Sequence, residues 1–184
     1  MDILEIEPLD LGSDVRAVGL ELAEDDENHE PVRGADAAKV WSRVLNAVAG
    51  DQPWALDFFS HLDRVRDYCG RHNIPFRGPN SNSLVIPAPP VGVLETFFER
   101  FEGETFGARA GGPVASGDPI VEGELARHGV DAYHAAFPNY YFCAVCGFED
   151  GSLVLLSDKL WASEVIRRVR PALVGLDLEV RLPS

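Results

Sequence analysis

The stretch YYFCAVCGFEDGSLVLL, Tyr140 to Leu156, decides how the chain is read. From Tyr140 to Phe148 both alternating sets of side chains are apolar, which predicts a central strand covered on both faces. Asp150-Gly151 is a hairpin turn signal, and Leu153 to Leu156 is the returning strand. Downstream, Asp158 is positioned to cap a helix carrying Leu160, Trp161, Val165, Ile166 and Val169, with Pro171 ending or kinking it. Leu176, Leu178, Val180 and Leu182 then alternate with Asp177, Glu179 and Arg181, the pattern of a half-exposed strand near a sheet edge.

Upstream, strands are expected at Ile3 to Leu9 and Val15 to Leu22, forming an opening antiparallel pair. Val40, Trp41, Val44, Leu45 and Val48 recur at helical spacing up to Gly50. The stripe Trp54, Phe58, Leu62, Val65, Cys69 predicts a second helix with one apolar face. Leu84 to Ile86 reads as a short strand, and Val93, Leu94, Phe97, Phe98 and Phe101 as a further helix. Five Gly and two Pro fall between Gly103 and Pro119, so this stretch reads as a connector dividing two subregions. Glu122 to Ala136 reads as helical. The resulting order, ββααβα, connector, αββαβ, lacks the regular alternation of a doubly wound fold. It predicts a single α+β domain over residues 1–184, mainly an antiparallel sheet with helices on one face.

The chain has 184 residues and a formal charge of −14, from 30 acidic and 16 basic side chains. That balance opposes nucleic-acid or anionic-membrane binding through a general basic surface. No apolar run approaches the roughly 20 residues of a membrane span. The start Met1-Asp2-Ile3-Leu4-Glu5 lacks the basic residues of a signal peptide. Three cysteines at uneven spacing argue against a secreted disulfide framework. A cytoplasmic protein is therefore expected. Fourteen Arg against only Lys39 and Lys159, with abundant Ala, Val and Gly, suggests a GC-rich bacterial source.

Residues 1–102 carry 19 acids against 9 bases, whereas residues 103–184 carry 11 against 7. The densest acidic run, Glu21 to Glu30, contains Glu24, Asp25, Asp26 and Glu27. It predicts either a solvated loop or a contact face for a basic protein partner. The leading expectation is a non-catalytic protein-interaction or regulatory module, of which an acidic inhibitor of a basic nuclease or toxin is one form. The aromatic flanks Phe59 and Phe98 are candidates for a homodimer interface.

Two other chemistries compete. Glu122, Glu124, His128, Asp131 and His134 are spaced so that a helix would align Glu124 with His128, and nearly align Asp131 with His134. Such a face suits a small-molecule or metal-dependent enzyme using Glu124, His128 and His134, with the glycine-rich stretch as a lid. Cys143 and Cys146 have the C-x-x-C spacing of a zinc knuckle, with Cys69 and His72, or else His128 and His134, as upstream ligands. In an extended strand, however, residues three apart point to opposite faces, so no cofactor is the first expectation and zinc the alternative. No P-loop, dinucleotide fingerprint, nucleophile elbow or kinase signature is present.

Overall fold

The computed structural model describes residues 1–11, 16–25, 28–80, 82–87, 90–101, 103–104, 106–112, 114, 123–124 and 127–182. The strands are β1 (Asp2–Asp10), β2 (Arg16–Glu24), β3 (Trp54–Phe58), β4 (Arg77–Asn80), β5 (Ser83–Pro87), β6 (Phe106–Ala110), β7 (Phe142–Gly147), β8 (Ser152–Leu156) and β9 (Leu178–Arg181). The helices are α1 (Gly34–Ala49), α2 (Leu62–Arg71), α3 (Val91–Arg100), the short α4 (Tyr133–Ala136) and α5 (Ala162–Ala172). One nine-stranded sheet runs in the order β4-β5-β3-β6-β7-β8-β2-β1-β9. Its pairings are antiparallel except for β1 with β9. The fold is thus α+β, as the sequence predicts.

Alternation along the strands sorts the core into two layers. Leu4, Leu20, Leu56, Phe58, Phe106, Phe142 and Leu155 face one side, where they join Trp41, Val65, Phe97 and Val169 of α1, α2, α3 and α5. A smaller cluster on the other side holds Ala55, Cys143 and Leu156 with Tyr133, Phe137 and Tyr140. The segment Gly129–Asn139, two 3-10 turns flanking α4, supplies that second cover. As expected from Tyr140–Leu156, β7 lies in the middle of the sheet and pairs with β8 around Gly151. β9 is an edge strand.

Two elements differ from the sequence reading. The second helix starts at Leu62, and Trp54–Phe58 is a fully buried strand. A four-residue step is also two strand periods, so Trp54 and Phe58 share a face in either structure, with Leu56 between them. Only Leu62, Val65 and Cys69 belong to the helical part of the stripe. His61, in the left-handed region at φ 48°, separates the strand from α2.

The second difference lies in the connector at 103–119, of which residues 106–110 form β6, buried throughout and paired with β3 and β7. Ala108 and Ala110 are buried in the large core, and Gly107 is small because of what packs against it. A Cβ on Gly107 would lie 2.0 Å from the Tyr133 hydroxyl oxygen. Residues 105, 113 and 115–119 lie outside the described residues. The element order is therefore ββαβαββαβ up to β6, with two strands in place of one in the Arg77–Pro87 region.

Smaller departures follow local chemistry. Ala162 starts α5, and the Ser157 hydroxyl, rather than Asp158, accepts hydrogen bonds from the amides of Lys159 and Leu160 at 3.0 and 3.1 Å. Pro171 sits inside the last turn of α5. Phe98 is 1% exposed and stacks near Phe106, so it offers no dimer flank. Phe59 is half-buried against the smaller cluster. No helix among the described residues is long and apolar enough to cross a membrane.

Gly151 tests the hairpin. Its φ is 65°, and a Cβ there would lie 2.6 Å from the Leu22 carbonyl oxygen. Gly151→Ala is expected to cost about 1–3 kcal/mol in chemical denaturation through strain and overpacking. Gly70→Ala in α2, where nothing lies within 4 Å, is expected to gain about 0.5–1 kcal/mol.

Candidate functional site

The most unusual chemistry in the chain is a set of polar groups sealed inside the second layer. On β3, Ala55 and Asp57 point away from the large core, and on β6 so do Gly107 and Arg109. Asp57 is 1% exposed and Arg109 0%. The guanidinium grips the carboxylate bidentately, donating from Nε to Oδ2 at 2.6 Å and from Nη2 to Oδ1 at 2.7 Å. The Tyr133 hydroxyl donates to Asp57 Oδ2 at 2.6 Å, and Arg109 Nη1 donates to the Tyr140 hydroxyl at 2.9 Å. Both tyrosines belong to the covering segment or its end, so the four residues join sheet to cover.

Charge-assisted bidentate bonds are the strong kind, and only such satisfaction makes two buried charges tolerable. Burial works against the Arg109 charge, but the adjoining Asp57 carboxylate raises its pKa and holds it protonated. Burial, with the Asp57 charge added, pushes Tyr133 well above its ordinary 10.0, so it remains a donor. At these exposures no solute reaches the pair. Through Tyr133 and Tyr140 it joins the cover to the sheet, and the surfaces open to solutes are those the cover creates or leaves exposed.

Beyond the cover, the same side of the sheet is open. Glu5 and Glu7 of β1 and Glu21 of β2 project there, all exposed, around Gly19, with Ser152 and the half-buried Val154 of β8 alongside. Glu5 stands directly opposite Glu21 in the β1–β2 register. Arg181, the register partner of Glu5 on β9, bonds Glu179 at 2.7 Å and pairs with Asp25 at 3.5 Å. Of the acidic run singled out in the sequence, Asp25 is therefore held in an ion pair. Glu24 lies on the opposite parity of β2 from Glu21. Asp26 and Glu27 lie outside the described residues.

The outer side of the cover carries the other candidate. Glu124, His128, Asp131 and Asn139 line a cavity of about 490 Å³ with Ala132, Ala135 and Ala136. Glu124 Oε1 pairs with Arg127 at 3.0 Å, and its Oε2 lies 3.7 Å from His128 Nε2. The structure thus brings Glu124, His128 and Asp131 to one cavity, while His134 is exposed outside its lining. Glu122 lies outside the described residues.

Cys143 and Cys146 fall on opposite faces of β7, in the smaller and larger clusters respectively. Cys69 lies in the larger cluster, and His72 packs tilted against Tyr68 with ring centroids 4.3 Å apart. Burial pushes the Cys69 thiol up to about 11 and the other two thiols higher still. Among the described residues no group of three or more His, Cys, Asp or Glu is arranged to hold a metal ion. Asp57 and Arg109 fall in stretches whose sequence predicts a helix and a connector, so their pairing is not legible there. The legible clue was Arg109, the lone cation of its stretch.

Losing one member of the buried pair is expected to cost about 3–5 kcal/mol, because the other charge is stranded. Asp57→Asn or Arg109→Met tests this by urea denaturation. The triple change Asp57→Leu, Arg109→Met and Tyr133→Phe is expected to return to within about 2 kcal/mol of the parent. Alkaline pH provides a second check. Tyr133, Cys143 and Cys146 have folded pKa values above their ordinary 10.0, 9.0 and 9.0. Their contribution is complete below about pH 9 and is lost as pH rises beyond it, since only the unfolded chain ionises there. Urea midpoints at stepped pH are expected to fall above that point, and less steeply in a Cys143→Ala, Cys146→Ala variant.

A scan against protein-family models, a search of curated proteins and a search of solved structures each found no match for this chain.

Proposed function

We propose that the protein is a non-catalytic interaction module whose contact surface is the acidic sheet face around Glu5, Glu7 and Glu21, and that its partner is a basic protein. One observation carries this reading. Glu5 and Glu21 are placed directly opposite each other on an exposed sheet face, although like charges directly opposed destabilise a sheet. A basic partner would relieve that repulsion, and clustered carboxylates would steer its approach. The overall charge of −14 works in the same direction at longer range.

The test separates this face from charge in general. Glu5→Gln, Glu7→Gln and Glu21→Gln removes three charges from the face. Asp51→Asn, Asp63→Asn and Glu99→Gln removes three from exposed positions elsewhere. The readout is association with a basic protein captured from the source cell at low salt. The face variant is expected to bind at least about tenfold more weakly with a shallower salt dependence. The control is expected to change less than about threefold. Equal loss in both variants would remove the reading.

A further inference from the structure

The cavity on the outer side of the cover has a chemistry separate from the acidic sheet face. Its volume of about 490 Å³ is in the range of small-molecule sites. Its apolar lining comes from Ala132, Ala135 and Ala136, and its polar lining from Glu124, Asp131, His128 and Asn139. Neither lysine nor arginine is among the described lining residues. Glu124 is braced from outside the lining by Arg127 at 3.0 Å. Asp131 is exposed and makes no ion pair with a described residue. The wall is anchored from below, since Tyr133, in the same turn, bonds the buried Asp57 carboxylate at 2.6 Å.

We infer that this cavity binds a small organic cation, an amine whose ammonium group sits between Asp131 and Glu124 while its compact apolar body rests on the three alanines. An anion would meet two carboxylates. A bare metal ion would use neither the volume nor the apolar lining, and would find too few converging ligands. A neutral apolar molecule would leave Asp131 without a counter-charge among the described residues. An amine with a ring or branched chain satisfies both the polar and the apolar lining, with His128 and Asn139 available as hydrogen-bond partners.

Benzylamine, benzyl alcohol and benzoate, which share a ring and differ in charge, are the probes, with magnesium alone as a fourth. Binding is read from the alanine methyl resonances of the full chain. Benzylamine is expected to shift the methyls of Ala132, Ala135 and Ala136 saturably, at least about tenfold more tightly than benzyl alcohol. Benzoate is expected to give no saturable shift. Asp131→Asn and Glu124→Gln should each weaken benzylamine about fivefold or more, with resonances elsewhere unchanged. Equal affinity for benzyl alcohol or benzoate, tighter saturation by magnesium, no saturable shift up to about 20 mM benzylamine, or unaltered affinity in both variants would overturn the inference.

Discussion

The bidentate bond between Asp57 and Arg109 is the constraint around which the second layer of this protein is arranged. Two charges withdrawn from water cost several kcal/mol each, and they persist only where geometry and further hydrogen bonds offset that cost. Here the carboxylate accepts three bonds, two from Arg109 and one from Tyr133, and Arg109 also reaches Tyr140. The pair also fixes register between β3 and β6. A slip of one residue would turn Arg109 toward Phe58 and Phe106 in the large core, where no carboxylate waits. Gly107 is a consequence of the same arrangement, because the Tyr133 ring occupies the space any larger residue would need.

The anchored cover divides one side of the sheet into two surfaces. Over β3, β6 and β7 it makes a buried layer below and a cavity above. Away from Ala17 and Leu156, which the smaller cluster buries, β1 and β2 expose Glu5, Glu7 and Glu21 on that side. Each open surface has the same polarity. On the sheet the carboxylates are spread over neighbouring strands, which suits a broad basic partner. In the cavity two carboxylates accompany an apolar lining, which suits a small cation. Neither surface contains the buried pair, whose work is mechanical.

Most of the larger architecture was legible because periodicity reports one-sided burial. The β7–β8 hairpin, α1 and the half-exposed β9 each had an unambiguous pattern. The stretch Trp54 to Phe58 did not, because helix and strand both place Trp54 and Phe58 on one side. β6 was hidden for another reason: its small residues, Gly107, Ala108 and Ala110, resemble a flexible connector until Tyr133 is seen to fill the space above Gly107. The site shared both failures, since Asp57 lies in the first stretch and Arg109 in the second. Their pairing across 52 positions leaves no local signal. Glu124 and His128, four residues apart, line one cavity, as their spacing suggests. His134 was not excluded by spacing, because the change from a 3-10 turn to α4 shifts its direction.

Amide hydrogen exchange across Gly129–Tyr140, compared between the parent chain and Tyr133→Phe, tests most directly whether the buried pair holds the cover in place. Loss of a hydrogen bond to a charged group is expected to speed exchange in this segment by about tenfold or more, with the amides of β3, β6 and β7 keeping their protection. Unchanged exchange in the segment, or an equal loss of protection throughout the sheet, would contradict the account.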